Sequence, residues 1–251
     1  MGMIQLDDQK GIRILTLSRG VTNAINLELV TELSRALEQL QADPECRGLV
    51  LTGAGEKFFS IGLDIPELIP LAEEEFTRFY RAFNRLCLDL FTLPKPTVAA
   101  LSGHAIAGGC ILALCCDYRL IAEGKKLMGL NEIKLGVPVP YPADRILQRL
   151  TGWSMAREVM DGGEFYGGME LLARGLVDQV LLPEKVLSAA VEKAAALGAP
   201  SFEAFALIKR NRTEPIKVSI LANLDERERR FVERWYSPQA RELLKEAMKK
   251  F

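Results

Sequence analysis

Residues 98–116 form a run of nineteen residues without a formal charge, and this run constrains the fold more than any other feature of the chain. Its length suits a membrane-spanning helix. However, Ser102-Gly103-His104 and Gly108-Gly109 interrupt the run, and such breakers predict a short strand, a turn and a short helix. We therefore interpret the run as the buried interior of a globular protein and expect no membrane span.

The composition agrees with a protein that buries one large core. Of its 251 residues, 49% are hydrophobic and 26% are charged, as in ordinary globular domains. The net charge of −1 leaves no basic surface for nucleic acid. A single histidine, His104, excludes a multi-histidine metal site, and we expect it to pack in a glycine-flanked turn. Five cysteines without a CxxC pair indicate reduced, buried thiols, and no secretion signal is evident, so we expect a cytoplasmic protein.

Strand patterns alternate with helix patterns over residues 1–197, which predicts an α/β domain. The predicted strands are 12–17, 48–52, 97–101, 118–122 and 177–182. The predicted helices are 27–41, 76–90, 187–197, 225–235 and 239–250. Residues 198–251 lack strand patterns and are rich in charge, so we expect a helical C-terminal region there. Because such a region cannot bury its apolar face alone, we expect it to contact a neighbouring subunit and to cover the active site.

Two glycine turns and one glutamate are the candidate functional features. Ala107-Gly108-Gly109-Cys110 opens an apolar helix, whose first N–H groups can hold a developing negative charge. Glu132 is a lone carboxylate in a neutral segment and is a candidate proton carrier. In the turn around Gly62, the N–H of Ile61 is a candidate ligand of a substrate oxygen. Each feature also has a purely structural interpretation, in which the glycines allow close packing and Asp64 binds backbone donors.

The order of these motifs along the chain resembles the crotonase superfamily of acyl-CoA enzymes. The matching segments are Asn23-Ala24-Ile25-Asn26, Arg47-Gly48-Leu49-Val50-Leu51-Thr52, Phe59-Ser60-Ile61-Gly62-Leu63-Asp64, Lys95-Pro96, Ala107-Gly108-Gly109-Cys110, Cys116-Asp117-Tyr118-Arg119 and Gly175-Leu176-Val177-Asp178-Gln179-Val180. The resemblance implies a spiral of ββα units with a helical C-terminal region. It also implies an acyl-CoA thioester as the ligand, no metal or redox cofactor, and assembly as a homotrimer or a dimer of trimers.

The resemblance further assigns residues to an active site. It implies that the N–H groups of Ile61 and Gly108 form an oxyanion hole and that Glu132 is the catalytic residue. The substrate contacts that it implies are Ser60, Ile61, Gly62, Leu63, Asp64, Ile65, Gly108 and Asn131. The hydratases of the superfamily use two glutamates, and Ile111 stands at the first of those positions. Because isoleucine cannot transfer a proton, and because the chain shares the Gly-Leu-Asn-Glu motif with mitochondrial-type Δ3,Δ2-enoyl-CoA isomerases, that activity is the expectation.

In this reaction, Glu132 removes a proton from C2 of a 3-enoyl-CoA and returns it at C4 of the dienolate. Apolar surroundings are expected to raise the pKa of Glu132 toward neutrality. Alternatives are a hydratase or another crotonase reaction, and a non-catalytic acyl-CoA-binding or RNA-associated member. Asp144, beside Tyr141, is either a second acid or a helix cap. Candidate contacts to the CoA phosphates are Lys209, Arg210, Lys249 and Lys250.

Overall fold

The structure, a computed structural model, describes residues 2–249. A six-stranded sheet forms its centre, in the order β1-β2-β3-β5-β7-β10. These strands are β1 (Ile4–Gln9), β2 (Ile12–Leu17), β3 (Gly48–Gly53), β5 (Thr97–Leu101), β7 (Tyr118–Ala122) and β10 (Gln179–Leu181). β1 and β2 are antiparallel, and all other neighbours are parallel. Every residue of β5 is buried, as expected for a parallel strand covered on both faces.

A second sheet has four strands of three residues each, in the order β4-β6-β8-β9. They are β4 (Phe58–Ser60), β6 (His104–Ile106), β8 (Leu127–Gly129) and β9 (Phe165–Gly167). Along the chain, β4 directly follows β3, β6 follows β5 and β8 follows β7. These pairs, each with one strand in either sheet, alternate with helices. This arrangement confirms the predicted spiral of ββα units. The short strands themselves were not predicted, because three residues are too few to show the alternation of apolar and polar residues that indicates a strand.

The helices surround the two sheets. They are α1 (Leu27–Ala42), α2 (Ile65–Leu68), α3 (Glu73–Thr92), α4 (Gly108–Leu114), α5 (Tyr141–Gly162), α6 (Gly168–Ala173), α7 (Val186–Gly198), α8 (Phe202–Leu221), α9 (Leu224–Trp235) and α10 (Pro238–Met248). α1 begins where predicted, because the Asn26 side chain accepts a hydrogen bond from the Leu29 N–H (2.9 Å). The last predicted helix ends at Lys250, which lies outside the described residues.

The uncharged run 98–116 lies inside the protein and contains most of β5, all of β6 and α4. The prediction of a strand, a turn and a helix is therefore confirmed, with β6 as an additional strand. Within residues 2–249, no helix combines the length and the apolar character that crossing a bilayer requires. All five cysteines are buried and free, as predicted.

The C-terminal helices share the main hydrophobic core. Phe231 and Trp235 of α9 are almost completely buried against α3. The ring of Trp235 stacks on Phe76 at 4.4 Å between centroids, and Phe231 stacks on Tyr80 at 4.0 Å. Such stacked pairs stabilise a packing arrangement by roughly 0.5–1.5 kcal/mol beyond the area they bury. α9 therefore has a fixed position relative to the core.

Candidate active site

The turn after β4 brings two backbone segments into close contact. Gly62 has a φ of +93°, and a Cβ atom there would lie only 2.8 Å from the nitrogen of Gly108. Ser60 supports the turn, because its Oγ donates to the Asn23 carbonyl (2.8 Å) and accepts from the Gly62 N–H (3.1 Å). Glycine is thus required at position 62 both by the backbone conformation and by the approach of the neighbouring segment.

This geometry corrects one predicted donor of the oxyanion hole. The Ile61 N–H donates to the Thr22 carbonyl (3.0 Å), so it is not free to bind a ligand. Leu63 and Ile25 form a parallel bridge, in which the Ile25 N–H donates to the Gly62 carbonyl and the Asp64 N–H donates to the Ile25 carbonyl. Because the residues on either side of Leu63 make these bonds, the Leu63 N–H points to the opposite side, away from Ile25. The Leu63 nitrogen lies 3.3 Å from the position that a Cβ of Gly108 would occupy. Leu63 therefore replaces Ile61 as the candidate donor.

Gly108 presents the second donor at the start of α4. No residue within 2–249 accepts a hydrogen bond from the N–H of Gly108 or of Leu63. The preceding residue, Ala107, has a φ of +47° and a ψ of −115°, a strained conformation for a residue other than glycine. Hydrogen bonds of 2.9 Å from the Ala107 N–H to Gly129 and from the Ile111 N–H to Ala107 hold it there. Two free N–H groups thus stand side by side, as an oxyanion requires.

Glu132 begins a short 3₁₀ turn, Glu132–Leu135, directly after β8. Its side chain is buried, with 6% of the residue surface exposed. Among the described residues, its Oε2 atom has no hydrogen-bond partner. Burial raises the pKa of Glu132 to about 7, which confirms the predicted direction. A carboxyl group with such a pKa can both accept and return a proton near neutral pH.

The free N–H groups and Glu132 meet in one cavity, which we call the inner chamber. Its volume is about 70 Å³. The lining residues are Ile61, Leu63, Ile65, Phe83, Ile106, Ala107, Gly108, Ile111, Asn131, Glu132, Leu135, Val137, Pro140, Phe231, Trp235, Leu244 and Ala247. Within the described part of the chain, Glu132 is the one titratable residue of this lining. Ile111, where a hydratase-like chain would hold an acid, adds only hydrocarbon.

Three predicted substrate contacts do not line the inner chamber. Ser60 and Gly62 shape the turn behind it, as described above. Asp64 caps α2 by accepting from the Glu67 N–H (3.1 Å), and it forms an ion pair with Arg19 (2.6 Å). These three residues therefore support the turn and the helix beside the chamber and do not border the chamber itself.

An outer groove of about 510 Å³ adjoins the inner chamber. Phe58, His104, Leu127, Lys134, Phe165, Leu243 and Glu246 line the groove alone. Both spaces are lined by Ile61, Ile106, Asn131, Leu135 and Ala247, which we call the neck. The groove and the inner chamber are therefore adjacent at the neck.

The sequence did not reveal the contribution of the C-terminal helices to the inner chamber. Phe231 and Trp235 come from α9, and Leu244 and Ala247 come from α10. These residues are about 100 positions after Glu132, and nothing in their local pattern separates a chamber wall from ordinary core. The sequence offered only the expectation that the C-terminal region covers the site, which stays a prediction; α9 and α10 contribute four residues to the chamber lining.

The predicted second acid does not line the inner chamber. Asp144 accepts a hydrogen bond from the Gln148 side chain, and neither Asp144 nor Tyr141 lines the chamber. Asp144 does not cap α5 either, because α5 begins at Tyr141 and the Asp144 N–H donates to the Pro140 carbonyl (3.0 Å). Burial raises the pKa of Asp144, and the Gln148 hydrogen bond partly opposes this.

The predicted phosphate contacts and His104 have other environments. Lys209 is buried and forms an ion pair with Asp117 (2.7 Å), so it is a structural residue. Arg210 and Lys249 are exposed, and Lys250 lies outside the described residues. His104 is the first residue of strand β6 and not part of the predicted turn; it is half-buried and lines the outer groove, and its Nδ1 accepts from the Leu127 N–H (3.1 Å).

Comparison with known proteins places this geometry among the enoyl-CoA enzymes. The family model for enoyl-CoA hydratase/isomerase matches residues 7–251. The human mitochondrial enoyl-CoA delta isomerase 1 is 33% identical over 190 residues, which are 75% of this chain and 63% of the relative. The short-chain-enoyl-CoA hydratase of Clostridium acetobutylicum is 32% identical over 188 residues, 74% of this chain and 72% of the relative. The match thus spans slightly less than two thirds of the human isomerase.

The fold agrees as well. The crystal structure of human mitochondrial delta3-delta2-enoyl-CoA isomerase superimposes with a TM-score of 0.95 at 28% identity, and the alignment covers 99% of this chain and 97% of that one. The prediction of a crotonase fold is confirmed. On the strength of the family match over nearly its whole length and of this shared fold, the chain belongs to the enoyl-CoA hydratase/isomerase family.

Proposed function

We propose that the protein is a Δ3,Δ2-enoyl-CoA isomerase in which a single glutamate moves the proton. The observation that carries the proposal is the lining of the inner chamber. Within residues 2–249, Glu132 is its one titratable side chain, and Ile111 fills the position of a second acid with hydrocarbon. An isomerase needs one proton carrier, whereas hydration needs a water molecule held and activated between two such groups.

The substrate oxygen is placed by the two free backbone donors. We place the thioester carbonyl between the N–H groups of Leu63 and Gly108, where negative charge develops as the enolate forms. Each donor of this kind is worth roughly 3–4 kcal/mol of transition-state stabilisation. Because the donors belong to a fixed turn and to the first residue of α4, they need no rearrangement when the charge appears.

Proton transfer then follows from the position and pKa of Glu132. The ionised carboxylate removes a proton from C2, and the electron pair spreads over the dienolate. The resulting carboxylic acid returns the same proton to C4, so that the double bond moves from C3–C4 to C2–C3 and Glu132 is ionised again. A pKa of about 7 leaves Glu132 partly ionised in the free enzyme at neutral pH, and its acid form can protonate carbon.

The CoA portion of the substrate is assigned to the outer groove. The groove is several times larger than the inner chamber, and the two are adjacent at the neck. We place the pantetheine arm in the neck and the nucleotide outside it. Assembly as a homotrimer and a cytoplasmic location stay predictions.

Two substrates separate the possible activities. Purified protein is given 3-hexenoyl-CoA, and in a second assay it is given crotonyl-CoA in water. The proposal expects conjugation of the first substrate and no hydration of the second. Hydration of crotonyl-CoA at a comparable rate would favour the hydratase. Binding of both esters with no reaction of either would indicate a binding protein.

A further inference from the structure

Three aromatic side chains form part of the lining of the inner chamber. Phe83 of α3 and Phe231 and Trp235 of α9 line the chamber but not the outer groove. All three are buried, with at most 2% of their surface exposed. An acyl chain that enters through the neck and places its carbonyl at Gly108 must therefore fit into a space that these rings border.

The rings are held in place by stacking. Trp235 lies parallel to Phe76, with 4.4 Å between centroids and 16° between planes. Phe231 lies parallel to Tyr80, with 4.0 Å and 13°. Turning either ring out of the way would break a stacked pair in a close-packed core, which is unfavourable. These rings therefore form a rigid part of the chamber wall.

The space before this wall is small. The inner chamber has about 70 Å³, compared with about 510 Å³ for the outer groove on the same measure. Ligand pockets for whole small molecules usually have about 300–1,000 Å³. The groove falls in that range, whereas the chamber suits a short hydrocarbon chain only.

We propose that Trp235, together with Phe231, sets the acyl-chain length and restricts the protein to short-chain enoyl-CoA esters. This inference rests on the proposed acyl-CoA ligand and adds the substrate class. A longer chain must overpack the chamber or displace a stacked ring. The free-energy cost of overpacking a core corresponds to a change of about 5- to 150-fold in an equilibrium constant.

Binding of saturated esters tests this without relying on catalysis. Hexanoyl-CoA and dodecanoyl-CoA are compared by calorimetry, and we expect the shorter ester to bind at least about 5-fold more tightly. Trp235→Leu enlarges the chamber and is expected to abolish the difference. Trp235→Phe keeps an aromatic ring that can stack on Phe76 but is smaller than indole, and the indole N–H that it removes has no partner among the described residues. This variant should therefore fold and reduce the difference.

Phe79→Leu is the matched control. Phe79 is fully buried in the same aromatic cluster but does not line the chamber. This variant should lose stability and keep the wild-type preference for the short ester. Equal binding of both esters by the wild-type protein, or an unchanged preference in both Trp235 variants, would overturn the inference.

Tryptophan fluorescence gives an independent signal of contact. The chain has two tryptophans, and Trp153 is exposed on α5. In a Trp153→Phe background, hexanoyl-CoA should change the emission of Trp235, whereas CoA alone should not. An emission change that CoA alone reproduces would contradict contact with the acyl chain. If the short esters bind selectively but 3-hexenoyl-CoA does not react, the proposed isomerase fails while the chain-length inference stands.

Discussion

Replacing Glu132 with glutamine removes the ionisable group from the inner chamber and keeps its size. Burial raises the pKa of Glu132 from its ordinary value of 4.5 to about 7. Each pKa unit corresponds to about 1.4 kcal/mol, so keeping this carboxylate ionised in the folded protein costs about 3 kcal/mol. Glu132→Gln should therefore stabilise the protein at alkaline pH while it abolishes isomerisation.

The sign follows from the protons bound in each state. Between pH 4.5 and 7 the folded protein holds a proton on Glu132 that the unfolded chain releases, so the wild-type protein loses stability as the pH rises through this range. Glutamine has no such dependence. The stability difference between the variant and the wild type should grow from about 1 kcal/mol at pH 5 to about 3 kcal/mol at pH 8.

Urea unfolding of both proteins at pH 5 and pH 8 measures this difference. The other titrating groups affect both proteins alike and cancel in the comparison. Glu192→Gln is a suitable control, because Glu192 is exposed on α7 and does not line the chamber. Its effect should be small and the same at both values. A stability difference for Glu132→Gln that does not change between pH 5 and pH 8 would refute the assignment of a destabilised, buried carboxylate.

Three further predictions follow from the same structure. The logarithm of kcat/KM should rise with pH up to about 7 and then stay level, because the same group, Glu132, takes the proton and returns it. A decrease of kcat/KM at higher pH, which would indicate a separate acid, would contradict this prediction. Gly62→Ala should lower kcat about 100-fold or more, because its Cβ would push Gly108 away. Gly55 also has a positive φ (+78°) but has open space around it, so Gly55→Ala should change stability alone. Equal activities of the two variants would contradict this prediction. Lys209→Met should cost roughly 1.5–3 kcal/mol, because it removes the buried partner of Asp117 and leaves that carboxylate with Thr97 and the more exposed Arg212. Arg210→Met should cost less than about 1 kcal/mol, and comparable urea midpoints for the two variants would argue against a structural role of Lys209.

The local patterns of the sequence were sufficient for the long elements and for the chemistry of single residues. α1 and α3 have clear helical periodicity, and Glu132 was recognised because a lone carboxylate in a neutral segment is unusual. The position of Gly108 followed from the glycine pair at the start of an apolar helix. These features depend on residues close together in the chain, so a linear sequence contains them.

The features that were missed depend on distant partners. Whether Ile61 or Leu63 has a free N–H is decided by Thr22 and Ile25, which lie nearly forty residues earlier. A one-residue error of this kind is expected, because successive N–H groups of an extended segment point to opposite sides. The aromatic wall at Trp235 is likewise created by the packing of α9 on α3, which local periodicity does not specify.

The most direct test of the central claim is to follow the proton itself. 3-Hexenoyl-CoA carrying deuterium at both C2 positions is converted in ordinary water, and the early product is analysed by mass spectrometry and NMR. If the buried Glu132 carries the proton from C2 to C4 within the inner chamber, deuterium should appear at C4 of the 2-hexenoyl product. A product with no deuterium at C4, even in the first turnovers, would contradict proton shuttling by a single shielded glutamate.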